Sequence, residues 1–198
     1  MVDQTKGLLS PFLRWRRLKV VLPYIRGKVL DFGCGVGLLV RYLSSEECYI
    51  GVDIDQKSID TAKNLNPQRV FFVVDRENFF WKVNKYGPFN TIVMLAVLEY
   101  LEEPEKVLLK LRKLLSNSGY AYIVLTTPHP ISNNIHNFGS KIGFFSKKAN
   151  EQHRKLYDYK TMGKVCFNTG MKIIKYRRFL MGFNQLFLIR PLSNEIYF

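Results

Sequence analysis

The sequence KVLDFGCGVGLLVRYL, at residues 28–43, decides the fold. Residues 28–32 predict a short strand, residues 33–37 read Gly-Cys-Gly-Val-Gly, and residues 38–43 predict a helix. Glycines let the backbone turn sharply and approach a ligand closely, and the helix N-terminus behind them offers free N–H groups. This order of strand, glycine loop and helix therefore predicts a ligand site at one edge of an α/β sheet.

Strands and helices alternate along the rest of the chain. Six further stretches predict strands, namely residues 48–52, 70–74, 89–95, 120–125, 172–179 and 184–189. Asp55 and Asp158 are each placed to cap a helix, and Pro104 lies in the first turn of another. This alternation predicts an α/β three-layer sandwich, whose last two strands are antiparallel because only a turn joins them.

Aspartates lie at or near the ends of the first three predicted strands. A GxGxxG dinucleotide fingerprint requires glycine where Leu38 stands, and the carboxylate of Asp31 suits an ammonium group better than a pyrophosphate. Asp53 lies twenty residues after Gly33, where open α/β sheets place the acid that binds ribose hydroxyls. Asp75 ends the third strand, where a carboxylate can accept a hydrogen bond from an adenine amino group. The three acids line one crevice, where such sheets bind their ligands.

With these residues in view, the chain closely resembles the class I S-adenosylmethionine-dependent methyltransferases. Within that superfamily it looks like the small-molecule branch that includes ubiquinone-biosynthesis-type enzymes. The motifs that carry the resemblance are VLDFGCGVG, GVDID, VVDRENF and VLEYLEEPEKVLLKLRKLL. The similarity runs from about residue 28 to residue 127, with a weaker match over 151–190. It implies a seven-stranded Rossmann-like sheet of order 3-2-1-4-5-7-6, with strand 7 antiparallel.

The resemblance also implies a binding site for S-adenosylmethionine. The glycine loop would wrap the methionine moiety, with the first acid near its ammonium group and the backbone after the fourth strand close by. The second acid would bind the ribose, the residue after it would pack on adenine, and the third acid with its neighbour would reach the adenine edge. The implied cofactor residues are Asp31, Gly33, Cys34, Gly35, Gly37, Asp53, Ile54, Asp75, Arg76, Leu95 and Ala96.

Four residues are candidates for a catalytic role, which the sequence does not assign. His129 follows the fifth strand and could be a general base, a pocket-lining donor or a plain loop histidine. Glu99 and Tyr100 could face the pocket, but Tyr100 stands where many relatives have histidine, and it could equally be a core residue. His153 matches a family position near the substrate, with a helix-cap or surface role as the alternative. No metal site is predicted, because no histidine pair with a carboxylate has helical i,i+4 spacing.

The positive charge is concentrated outside the central part of the chain. The 198 residues carry a formal net charge of +14. Residues 1–28 hold seven basic residues against one acid, residues 140–165 seven against two, and residues 170–198 five against one. Residues 29–139 hold eleven bases and twelve acids. The distribution favours an anionic partner without identifying it.

The sequence predicts a helical N-terminal segment followed by one domain. Residues 1–27 predict a basic helical segment, with Phe12, Trp15, Leu18 and Leu22 at helical spacing. Residues 28–198 are expected to form the methyltransferase domain, with a substrate-side insertion at about 126–157. In that insertion Phe144-Phe145 and Lys147-Lys148 resemble a lid that could touch an acidic substrate or the surface of a membrane.

The composition excludes several protein classes. No apolar run approaches the roughly 18 residues that span a bilayer, and basic residues interrupt the apolar stretch near the N-terminus, unlike a secretory signal. The three cysteines are odd in number and form no CxxC pair, which argues against a disulfide framework or a zinc ribbon. A reducing, cytoplasmic location is therefore expected.

The sequence predicts transfer of a methyl group from S-adenosylmethionine to an O, N or C nucleophile of a small, acidic or lipid-like acceptor. Three alternatives remain open from the residues alone. A nucleic-acid-binding or RNA-methylating protein would use the basic surface, although MLAVLEY at residues 94–100 lacks the Asn-Pro-Pro-Tyr type of motif. A nicotinamide-dependent oxidoreductase is disfavoured by Leu38 and Asp31. A protein that binds the cofactor without catalysis is the third alternative.

Overall fold

The computed structural model describes residues 10–44, 48–75, 77–131 and 155–192, which form one seven-stranded sheet flanked by helices. The strands are β1 (Val29–Phe32), β2 (Tyr49–Asp53), β3 (Val70–Val73), β4 (Thr91–Leu95), β5 (Tyr122–Pro128), β6 (Met171–Phe179) and β7 (Asn184–Pro191). The α-helices are α1 (Ser10–Val21), α2 (Gln56–Leu65), α3 (Phe79–Asn84), α4 (Pro104–Leu114) and α5 (Tyr159–Asn168). Short 3-10 helices lie at Leu22–Tyr24, Leu38–Tyr42 and Leu98–Tyr100.

The strand order is β3-β2-β1-β4-β5-β7-β6, which confirms the predicted fold. Strands β1 to β5 are parallel, and β7 is antiparallel to both of its neighbours, β5 and β6. The chain order reverses between β1 and β4. The carboxyl ends of both strands therefore flank the crevice in which open α/β sheets bind ligands.

Helices cover both faces of the sheet and complete three layers. On one face, Leu108 of α4 and Met162 of α5 join the apolar core. On the other face, Leu18 of α1 and Ile59 of α2 pack on β1 and β2, while Val21 packs on β5 and β7. Strands covered on both sides explain the nearly continuous apolar runs in the sequence.

Local capping positions the helices as the sequence predicted. The side chain of Asp55 accepts a hydrogen bond from the N–H of Ser58 at 3.1 Å, and that of Asp158 from the N–H of Thr161 at 2.7 Å. Helix α3 was not predicted, because its six residues show too little periodicity. The helix after the glycine loop is a 3-10 helix that ends at Tyr42, and Leu43 is already extended.

Helix α1 lies within the basic segment expected at residues 1–27, and the apolar residues at helical spacing differ in their exposure. Leu18 is 4% exposed, whereas Phe12 and Trp15 are 49% and 42% exposed. The guanidinium of Arg17 donates to Asn184 at the start of β7, at the carboxyl edge of the parallel strands. The first half of α1 therefore extends past this edge, where the sheet cannot cover its aromatic rings. Among the helices of the described residues, none is long and apolar enough to cross a bilayer.

Candidate active site

The glycine loop is fixed to the end of β2 by its backbone. The N–H groups of Gly33 and Cys34 both donate to the carbonyl of Val52, at 2.8 and 3.0 Å. Gly33 has a φ of 85°, and a Cβ there would overlap the side chain of Val97. Gly35 has a φ of 53°, and a Cβ there would meet nothing within 4 Å. The loop is thus packed at its first glycine and open at its second, where a ligand has room.

Asp53 at the end of β2 connects the strand to the glycine loop. Its carboxylate is 3% exposed and accepts hydrogen bonds from the N–H of Gly35 at 2.9 Å and from that of Asp55 at 3.0 Å. The next residue, Ile54, is 63% exposed. A buried carboxylate can accept hydrogen bonds from the hydroxyls of a sugar, and an exposed apolar side chain beside it can pack on the face of the attached base. The bond from Asp53 to the loop was not predicted from the sequence.

Asp31 in β1 forms a buried hydrogen bond with Tyr49 in β2. The hydroxyl of Tyr49 donates to the Asp31 carboxyl at 2.8 Å, and both side chains are buried. Burial raises the pKa of Asp31 to about 7, helped by the nearby charge of Asp53 and opposed by the Tyr49 hydrogen bond. Burial and the same two acids also raise the pKa of the Cys34 thiol far above its ordinary value. Asp31 can therefore change charge near neutral pH, whereas Cys34 stays a protonated thiol.

Gly51 makes the contact between Tyr49 and Asp31 possible. A Cβ at Gly51 would lie 2.6 Å from a ring carbon of Phe71 and 3.0 Å from the Tyr49 hydroxyl. The rings of Tyr49 and Phe71 pack edge to face with centroids 5.6 Å apart. Sequence reasoning missed Tyr49, although its two-residue spacing to Gly51 and on to Asp53 was a usable signal, since alternate strand residues share a face.

The end of β3 differs from the end of β2. Asp75 is exposed, and its carboxylate accepts hydrogen bonds from the N–H groups of Glu77 at 2.9 Å and Asn78 at 2.7 Å. These bonds join residues close in the sequence, so the Asp75 carboxylate stabilises the turn that leads into α3. Arg76 lies outside the described residues.

The backbone after β4 adopts an uncommon conformation. Ala96 has a φ of 57°, and its N–H donates to the carbonyl of Thr126 in β5, at 2.9 Å. A left-handed conformation costs energy for any residue other than glycine, and such strain clusters at ligand sites. Leu95 before it is half-buried and packs against the apolar cores on the α1 face. Gly37, at the other end of the glycine loop, is the N-cap of the 3-10 helix Leu38–Tyr42.

The described catalytic candidates lie beyond β4 and β5. Glu99 is 1% exposed, and its carbonyl accepts from the N–H of Lys155, while Tyr100 is half-buried. The Nδ1 atom of His129 accepts from the N–H of Ile131 at 3.2 Å. Partial burial and the charge of Arg178 lower the pKa of His129, which keeps the ring neutral near pH 7. His153 and the lysine pair of the expected lid lie outside the described residues.

Tyr157 is a buried residue of this region that the sequence analysis missed. Burial, with the charges of Glu99 and Glu105, raises the pKa of its hydroxyl to about 12. Its carbonyl accepts a hydrogen bond from the side chain of Gln185 in β7. The phenol therefore stays protonated at neutral pH.

Comparison with known proteins finds one curated relative in sequence. An uncharacterized protein of Rickettsia prowazekii is 32% identical over 155 residues, which cover 71% of this chain and 58% of that protein. The chain thus spans somewhat more than half of the relative's length.

Two solved structures share the fold. The magnesium protoporphyrin IX methyltransferase ChlM of Synechocystis, with bound S-adenosylhomocysteine, matches with a TM-score of 0.71 and 16% identity, over 96% of this chain and 90% of that one. The plantazolicin methyltransferase BpumL, also with S-adenosylhomocysteine, matches with a TM-score of 0.70 and 18% identity, over 92% and 86%.

The family model described as "Methyltransferase domain" matches residues 14–176, most of the chain. This range contains the glycine loop, the three strand-end acids and the backbone turn after β4. The chain therefore belongs to the methyltransferase domain family, a family of class I S-adenosylmethionine-dependent methyltransferases.

Proposed function

We propose that the protein transfers a methyl group from S-adenosylmethionine to an O, N or C nucleophile of a small-molecule acceptor, as in the small-molecule branch of the family. The observation that carries the proposal is the buried carboxylate of Asp53. It is bonded to Gly35 of the glycine loop and followed by the exposed Ile54, at the end of the strand next to β1, where the crevice begins.

The end of β2 suits the adenosine half of the cofactor. Each carboxylate oxygen of Asp53 accepts one backbone N–H, and an ionised carboxylate has about four acceptor positions. Two positions therefore remain for the ribose hydroxyls. Ile54 offers an apolar surface for adenine, and Asp75, with Arg76 beside it in the sequence, is assigned to the adenine edge.

The end of β1 suits the methionine half. Gly33, Cys34, Gly35 and Gly37 form the loop, and Leu95 lies on the next strand. Asp31 is assigned to the ammonium group. Because an adjacent positive charge favours the ionised carboxyl, the ligand would hold Asp31 in its charged form.

When bound, S-adenosylmethionine supplies a methyl group on a sulfonium, which is already an activated leaving group. The chain's own residues then have to orient the acceptor and exclude water, and alignment of this kind supplies up to roughly 7–11 kcal/mol without a strong base. The Nδ1 atom of His129 already accepts an N–H, so its Nε2 carries the proton. His129 therefore suits hydrogen-bond donation to the acceptor better than proton abstraction. Glu99, Tyr100 and His153 remain candidates to line the pocket.

The charge distribution supports an anionic acceptor, because the excess of basic residues lies outside the near-neutral central segment. The structural neighbour ChlM acts, by its name, on magnesium protoporphyrin IX, and BpumL on plantazolicin. Both support a small-molecule acceptor here. All three cysteines are free thiols, which supports a reducing location such as the cytoplasm.

Calorimetric titration of the purified chain with S-adenosylmethionine, S-adenosylhomocysteine and NAD tests the proposal. We expect saturable binding of both adenosyl-sulfur ligands and none of NAD. Binding of NAD alone, or of none of the three, would overturn the cofactor assignment.

A further inference from the structure

A cleft of about 200 Å³ lies between α1 and the 3-10 helix Leu38–Tyr42. Arg14, Trp15 and Leu18 contribute one wall, at the three- and four-residue spacing of a helix face. The second wall begins at Leu38, immediately after the last residue of the glycine loop. Because Leu38 directly follows Gly37, the cleft adjoins the glycine loop of the expected cofactor site.

The cleft has an apolar base and aromatic sides. Leu18 is buried, and Leu38 is half-buried. Trp15 and Tyr42 stand on opposite walls and are 42% and 41% exposed. Large rings that remain exposed around a concavity mark a binding surface more often than isolated exposed residues do. Their shape suits a flat, apolar body.

The rim of the cleft is cationic. Arg14 and Arg41 line it on opposite walls, and none of the described residues that line the cleft is acidic. Within the part of the chain that the structure describes, neither arginine has an ion-pair or hydrogen-bond partner. Lys19 adds a third charge, with its Nζ 5.3 Å from the centre of the Tyr42 ring. A guanidinium matches the planar, two-oxygen geometry of a carboxylate.

We propose that this cleft binds a planar, apolar anion, a ring system with a carboxylate, and that it is the docking site of the acceptor. The inference rests on the proposed function and narrows its acceptor to this class. The concave shape favours a small molecule over a membrane surface, because a bilayer requires a convex or flat row of apolar side chains.

Binding of 2-naphthoate, compared with its uncharged analogue 2-naphthalenemethanol, tests the proposal. A Trp81→Phe background leaves Trp15 as the only tryptophan, so its indole N–H resonance in NMR reports occupancy of the cleft. We expect naphthoate to shift this resonance and to bind at least about fivefold more tightly than the alcohol, a preference of about 1 kcal/mol for the charged contact.

The variant Arg14→Gln/Arg41→Gln should weaken naphthoate binding about tenfold and leave binding of the alcohol and of S-adenosylhomocysteine unchanged. The matched control is Lys164→Gln/Arg177→Gln, which removes two exposed charges on α5 and β6 and should behave as wild type.

Three results would overturn the proposal. They are equal affinity for naphthoate and the alcohol, equal loss of naphthoate binding in both double variants, and no naphthoate binding at all. If the wild-type protein binds phosphatidylserine vesicles but not naphthoate, the ligand of this surface is a membrane and not a small molecule. The protein could also bind naphthoate through Arg14 and Arg41 without binding S-adenosylhomocysteine. That result would support the cleft as an anion site and contradict the proposed function.

Discussion

Asp53 is the last residue of β2, and Asp75 follows the last residue of β3 by two positions. Sequence reasoning assigns both acids to the same ligand, yet their side chains are held differently. Asp53 is almost fully buried and bonds to Gly35, eighteen residues away. Asp75 is exposed, and among the described residues its carboxylate bonds to those two and three positions ahead. The comparison teaches that a strand-end acid can fix the geometry of a site or merely shape a turn. Burial and the sequence distance of its partners distinguish the two.

The largest effect is expected for Asp53→Ala. The change removes the acceptors of two backbone N–H groups and the proposed ribose contact. We expect the affinity for S-adenosylhomocysteine to fall about tenfold or more, and the free energy of unfolding to fall by about 1–3 kcal/mol. Calorimetry and chemical denaturation measure the two effects. Asp60→Ala, an exposed acid on α2, is the control, and equal behaviour of the two variants would contradict the assignment.

A proton-linked effect is expected at Asp31, whose pKa is raised to about 7. Near pH 6.5 the free carboxyl is largely protonated, so binding of an ammonium ligand should release a proton. Calorimetry in two buffers of different ionisation enthalpy measures this release. Asp31→Asn should abolish it, and the same release in that variant would refute the role of Asp31.

The same raised pKa has a consequence for the unliganded protein. The folded state keeps the Asp31 proton to higher pH than the unfolded chain does. The contribution of Asp31 to stability is therefore fully present below about pH 3.8 and is lost as the pH rises to about 7. In thermal unfolding, Asp31→Asn should show a weaker loss of stability than wild type over this range.

A smaller and more selective effect is expected for Tyr49→Phe. The hydroxyl of Tyr49 orients the Asp31 carboxyl by a hydrogen bond, which also lowers the pKa of that carboxyl. The variant loses this bond. We expect binding of S-adenosylhomocysteine to weaken about three- to tenfold, the scale of the net contribution of one ordinary hydrogen bond. Binding of 5′-methylthioadenosine, which lacks the amino-acid end, should be unchanged. Equal weakening of both ligands would indicate a general structural role for Tyr49.

The smallest effect is expected for Asp75→Ala. The carboxylate is exposed and supports a turn, so its loss should cost about 1 kcal/mol of stability, as for a lost helix cap. Affinity for S-adenosylhomocysteine should fall less than about threefold, because an exposed hydrogen bond competes with water. Asp75→Asn should restore the turn. A loss as large as that of Asp53→Ala would erase the distinction between the two strand ends.

The features that were predicted from sequence are those set by local chemistry. Short apolar runs separated by helical patterns identified the strands. The helix caps at Asp55 and Asp158 formed as expected. The strand order followed from the resemblance to a known family, since composition alone does not fix pairing. The bond between Tyr49 and Asp31 was missed because it joins residues eighteen apart through space that Gly51 leaves open. The exposure of Trp15 was missed because helical spacing does not reveal where the sheet ends.

Gly51 has a consequence for how this chain can change over time. A side chain at position 51 would collide with Phe71, so the two positions are free to vary only together. Relatives with alanine at the position of Gly51 should therefore carry a smaller residue at that of Phe71, and Gly51→Ala should be tolerated better with Phe71→Leu than alone. Substitutions at Gly51 or Phe71 should therefore also affect the orientation of the Asp31 carboxyl, because Tyr49, which bonds to it, packs against both residues.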